Sequence, residues 1–160
     1  MIAKRKPDPT LLPKDEPMPA GYDVDFYAWA NEQGALLRSS NFSAADIENI
    51  AEEIESLGRS EKRELVSRLE ILLIHLLKWQ FQPKKRTKSW HSTIDEQRRR
   101  IVEHLKDNPS LKAKLRVAVE TAYIFALIGA ERQTRLSPKN FPTLCPYNVL
   151  QIMDHQFLPE

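Results

Sequence analysis

Two apolar stripes that share one helical phase constrain this chain more than any other feature. Ile47, Ile50, Ile54 and Leu57 recur at helical spacing, and Leu65, Leu69, Leu72, Leu76 and Trp79 do the same further on. The charged stretch GRSEKRE, residues 58–64, separates them. Ile47 and Leu65 lie 18 residues apart, which is about five whole turns of an α-helix. Two independent helices share a phase only by chance, so the spacing favours one long helix over about residues 44–81. The stretch SAAD, Ser43–Asp46, resembles a capping box at its start, and Pro83 closes it. Gly58 then sits inside the helix, at a cost of about 1 kcal/mol relative to alanine. The competing reading is a tight turn, with Gly58 as C-terminal cap and Ser60 as the next N-cap.

The flanking segments read as helices too. A first helix is expected from Tyr22–Asp25, capped by an Asp, to about Ser39, with Phe26, Trp29, Ala30, Gln33, Leu36 and Leu37 on one face. Another starts near Ser89 and carries Trp90, Ile94, Gln97, Ile101 and Leu105. Asn108-Pro109 punctuates the chain, Asn as cap and Pro at the first helical position. The helix that follows, from Pro109 to about Arg135, is apolar nearly all round between Val117 and Ala130, which predicts the central helix of the fold. A short final helix is expected around Tyr147–Met153, and strand-like alternation is absent. These elements define an all-α bundle of about four long helices with a short C-terminal one. Pro7, Pro9, Pro13, Pro17 and Pro19 forbid a helix at the start, so residues 1–21 read as a disordered or extended arm and residues 22–160 as a single domain.

The length of 160 residues suits one domain with a real core. One cysteine, Cys145, excludes an internal disulfide framework. The opening MIAKRKPDPTLLPKDEP has cations but no apolar run of the kind a secretory signal needs. The longest apolar stretch, VAVETAYIFALIGA, carries Glu120 and falls short of the roughly 20 residues a membrane span requires. A cytoplasmic protein with no membrane partner is the expectation. Charge is uneven along the chain. Residues 22–70 hold 5 Lys and Arg against 11 Asp and Glu, whereas residues 71–116 hold 12 against 4. Such asymmetry points to an acidic partner or to pairing of the two halves.

Six stretches in one order, YDVDFYAWA, IENIAEEIESLGRSEKRELVSRL, HLLKWQFQP, SWHSTIDEQR, NPSL and FPTLCPY, resemble the bacterial family catalogued as domain of unknown function 29, frequent in cyanobacteria. The resemblance covers about residues 22–160 and leaves the proline-rich arm outside it. It implies an α-helical fold. No activity is established for the family, so it hands over no catalytic residue.

Function must therefore be sought in the residues themselves. The stretch KWQFQPKKRTKSW, residues 78–90, sets Lys84, Lys85, Arg86 and Lys88 between two helix ends, and Arg98, Arg99 and Arg100 follow one helix later. Clustered cations contact phosphates, and exposed aromatics stack on bases. Yet Trp79 continues one apolar stripe and Trp90 begins the next, so both read as core anchors at a helix corner. The seven cations remain a candidate basic surface. His75, inside ILLIHLLKW, and Glu120 are polar groups among apolar neighbours, and burial would penalise each unless they pair. Such a pair is raw material for acid–base chemistry or, more simply, a register-fixing hydrogen bond. Glu48, Glu52 and Glu55 share a helix face, but Glu-x-x-His is absent, as is His-Glu-x-x-His, and no metal or other cofactor is expected. His91 and Asp95, one turn apart, and the lone Cys145 carry no local signature. The leading expectation is a non-enzymatic helical module that binds a protein partner or a second copy of itself. Nucleic-acid binding through residues 84–100 comes second, and an enzyme built on His75 and Glu120 third.

Overall fold

The computed structural model describes residues 21–160. The proline-rich arm lies outside the described residues apart from Gly21. Five α-helices follow in chain order: α1 Phe26–Arg38, α2 Ile47–Phe81, α3 Lys88–Asp107, α4 Leu115–Thr134 and α5 Val149–Met153. Short 3-10 turns at Pro83–Lys85, Pro109–Lys114 and Pro138–Asn140 each begin on a proline, where a missing N–H costs nothing. There is no strand among the described residues.

The two in-phase stripes are one helix. α2 runs for 35 residues without a break at Gly58, and a Cβ built there meets nothing within 4 Å. Gly58→Ala is therefore expected to raise stability by about 0.5–1 kcal/mol, through helix propensity and a less flexible unfolded chain. Chemical denaturation reads it, and a loss of stability would contradict unstrained helix at that position. The start of α2 lies three residues later than the SAAD stretch suggests. Asp46 supplies the cap, its carboxylate accepting from the Asn49 amide nitrogen at 3.3 Å, whereas Ser43 bonds Asn41 instead. Hydrogen bonding from Asn49 holds the Asp46 carboxyl below its ordinary range, desolvation opposes this, and Trp29 adds to the lowering.

The chain divides into two compact units at Glu55–Ser56, a boundary that falls inside α2. In the first, described over residues 21–55, Asp25 caps α1 by accepting from the Ala28 amide. Trp29 is buried, with Tyr22 and Phe26 around it at ring separations of 4.9 and 5.4 Å. Its indole N–H donates to Asp46, and Gln33 accepts from the Asp46 backbone. This small aromatic core is fastened by polar contacts between residues 13 and 17 apart in the chain.

The second unit, residues 56–160, holds the main core. Leu65, Leu69, Leu72, Leu73, Ile74, Leu76 and Leu77 of α2 are buried, together with Ile94, Ile101 and Leu105 of α3. α4 is not the all-round buried central helix that its composition predicts. Its buried side is made of small residues, Ala118, Ala122, Ala126, Gly129 and Ala130, joined by Val119 and Tyr123. Its larger apolar residues Val117, Ile124, Phe125 and Ile128 face outward and are exposed. Small residues let backbones approach closely, and the leucine-rich half of α2 fills the space they leave. The core helix is thus α2. α5 begins on a capping box in which Asn148 and Gln151 exchange bonds, each side chain accepting from the other's backbone N–H.

Candidate protein-binding surface

The corner between α2 and α3 answers what the basic stretch does. Trp79 is partly buried against the core. The Arg86 guanidinium lies 5.1 Å from the Trp79 ring centre, and its Nε donates to the Trp79 carbonyl at 2.9 Å. A second Arg86 nitrogen donates to the Pro159 carbonyl. Lys78 is buried with its ammonium 4.4 Å above the Trp90 ring and donates to Gln133 Oε1 at 2.9 Å. Burial pushes the Lys78 pKa down. Both tryptophans are corner anchors with a cation on the ring face.

Of the seven candidate surface cations, one is not on the surface. Arg98 is a correction to the sequence reading: its relative exposure is 0%. Nε donates to the Ile152 carbonyl at 2.8 Å, and Nη2 donates to the carbonyls of Phe157 at 2.8 Å and Gln151 at 3.4 Å. Burial lowers its pKa, while the charges of Asp95 and Asp154 oppose that. Arg98 is a clamp on the C-terminal segment. Its sequence signal was its phase: four residues after Ile94 and three before Ile101, it falls on the core face of α3. Arg86 is engaged as described, and Arg100 pairs with Glu96 at 2.8 Å. Lys84, Lys85, Arg86, Lys88, Arg99 and Arg100 are all exposed.

His75 and Glu120 do not form a buried pair. Glu120 is exposed and sits 3.8 Å from Arg116, one turn back on α4. His75 is partly buried and shares a 2.8 Å hydrogen bond with the Ile71 carbonyl through Nδ1. Glu120 faces out because α4 turns its small residues inward. Desolvation, the larger effect, lowers the His75 pKa from its ordinary 6.5, with the Ile71 carbonyl opposing and Lys78 assisting. The folded state thus holds a proton on His75 less readily than the unfolded chain. This contribution to stability is complete above the ordinary value and is lost as pH falls through the lowered folded value. Wild-type protein should lose stability in that window, and His75→Gln should flatten that part of the profile. Denaturant midpoints between about pH 4 and pH 8, spanning the ordinary histidine range, measure the difference.

Sequence reasoning missed the apolar surface. Val117, Ile124, Phe125 and Ile128 make one exposed stripe on α4 with Thr121 between them; Ile124 and Ile128 are each 62% exposed. On one side of it an open groove of about 570 Å³ runs between α2 and α4, with Val66, Thr121 and Phe125 among its lining and Lys62 and Arg63 at its rim. On the other side a cavity of about 520 Å³ is lined by Val119, Tyr123, Ile124, Leu144, Cys145 and Val149. Burial pushes the Cys145 thiol up, and its contact with the Tyr147 carbonyl at 3.4 Å opposes that. Among the described residues no group of three or more His, Cys, Asp or Glu is placed to hold a metal ion, and no helix is long and apolar enough to cross a membrane.

An all-helical protein with an exposed apolar stripe between two concavities is the class that fold and surface define. A family model described as Domain of unknown function DUF29 matches residues 22–158, and the chain belongs to that family. Neither a curated protein nor a solved structure matches it.

Proposed function

We propose that the chain is a non-enzymatic, cytoplasmic module that works by binding another protein surface, with residues 22–160 acting as one domain. The exposed stripe on α4 carries this reading. Four large apolar side chains on one face, bordered by a groove and a cavity, are what a protein-binding face presents and what a solvated helix face lacks. The family match, which runs across both compact units, supports treating them as one module. Site-specific photo-crosslinking in living cells tests it. A crosslinker at position 124 or 128 should give recurrent adducts with a defined protein, whereas one at position 100 should not. Equal labelling at all three positions would sink the proposal.

Nucleic-acid binding is the second reading, favoured by the exposed Lys84, Lys85 and Lys88 at one corner. It requires fluorescence anisotropy to report binding to DNA or RNA at about 50 mM salt that weakens steeply by about 200 mM. Absence of binding at the lower salt ends it.

A further inference from the structure

We propose that the first stretch of α2, residues 47–57, docks into the α2–α4 groove of a second copy of the chain. The inference rests on the protein-binding reading and names the partner for one part of that surface.

The stretch is an unfinished core face. Ile47, Ile54 and Leu57 continue the phase of Leu65, Leu69 and Leu72, which are buried, yet Ile54 is 63% and Leu57 68% exposed. Large apolar residues in the phase of the core, left in water, call for a cover. α2 has no turn between Ile47 and Phe81 by which the stretch could fold back along its own helix. Among the described residues nothing covers it, and a second molecule can.

Charge and size select where it lands. Residues 21–55 hold one cation, Arg38, against eight acidic residues, with Glu48 and Glu52 exposed beside the apolar stripe. Residues 56–160 hold 19 Lys and Arg against 11 Asp and Glu. The groove concentrates that excess beside apolar residues: Lys62 and Arg63 line it with Val66 and Phe125, and among the described residues Glu70 is the only acid in the lining. Ile47 to Leu57 spans about 15 Å at the helical rise, and the groove wall from Arg59 to Glu70 spans about 16 Å. An acidic amphipathic helix thus meets a basic apolar groove of its own length. A two-fold pair makes the contact twice, so neither molecule is left with an open stripe or an open groove.

Sedimentation equilibrium of the full chain, from about 1 to 100 μM and at about 50 and 300 mM salt, reads the association. Wild type should form dimers that weaken as salt rises. Glu48→Lys with Glu52→Lys makes both contact surfaces basic, and Lys62→Glu with Arg63→Glu makes both acidic. Each doubly substituted chain should be monomeric where wild type is dimeric, with an unchanged helical circular dichroism spectrum. Mixed in equal amounts they should pair again, because both contacts become complementary in the mixed dimer. Lys84→Glu with Lys85→Glu, which leaves the stretch and the groove lining unchanged, should dimerise as wild type does. A wild-type monomer at 100 μM overturns the proposal. So does a dimer indifferent to both sets of substitutions, or a mixture that stays monomeric. Crosslinking from position 128 to another protein alongside a wild-type monomer would keep the protein-binding reading and reject self-docking.

Discussion

Arg98→Met is expected to cost about 2–4 kcal/mol of stability and to loosen the C-terminal segment before the rest of the fold. Methionine follows the path of the arginine stem, so packing changes little. What disappears is the fork that donates to the carbonyls of Ile152, Phe157 and Gln151. A buried carbonyl left without a donor costs about 1–3 kcal/mol, which applies in full at Ile152, while the part-buried bonds to Phe157 and Gln151 add to it. Removing a buried charge recovers part of it, which keeps the net below the simple total. Arg98→Lys should rescue poorly, because an ammonium cannot reproduce the planar fork. Denaturation midpoints give the total loss. Hydrogen exchange should be fastest to change at residues 149–158. A loss under about 1 kcal/mol, well below the range for a broken buried network, would mean that the clamp is not what holds the segment.

Gly129→Ala should also destabilise, by up to about 2 kcal/mol. A Cβ at this position would fall well inside van der Waals contact of Ile74 Cδ1 and 3.0 Å from Ile74 Cγ1. Ile74 is itself buried, so it has little room to yield. Overpacking of this kind costs about 1–3 kcal/mol, and alanine's better helix propensity offsets about 1 kcal/mol of that. Ile74→Val removes Cδ1 and should rescue the substitution. The double variant should be more stable than the sum of the single effects, by about 1 kcal/mol or more, as expected for residues in contact. Simple additivity would show that α2 and α4 are not in close contact at this level.

Much of the fold was legible because helical phase is a strong signal. Ile47 and Leu65 in register predicted the unbroken α2, and proline and asparagine punctuation predicted where α3 ends. Phase also carried the burial of Arg98, but the run Arg98–Arg99–Arg100 reads as a block of cations unless each residue is projected onto the helix. The direction of α4 was not legible in the same way. A helix that is apolar on every side has no phase, and residue size decided which side faces in. The surface stripe followed from that choice. Exposure at Ile54 and Leu57 was hidden for another reason: periodicity says which face is apolar, not whether anything covers it. The candidate acid–base pair failed with α4, since turning its small residues inward turns Glu120 outward.

The Arg98 clamp has a consequence for a chain made one residue at a time. The guanidinium is synthesised 53 to 59 residues before the three carbonyls that receive it. Arg86 likewise precedes the Pro159 carbonyl by 73 residues. On the ribosome α3 therefore carries a cation on its core face before its backbone acceptors exist, and closing the core over it would bury a charge offset only by the neighbouring Asp95. The helical hairpin of α2 and α3 should stay open, with Arg98 in water, until residues 151–159 have left the exit tunnel. A core this helical would ordinarily settle early; here the finished packing is expected only after the carbonyls of Gln151, Ile152 and Phe157 can receive Arg98.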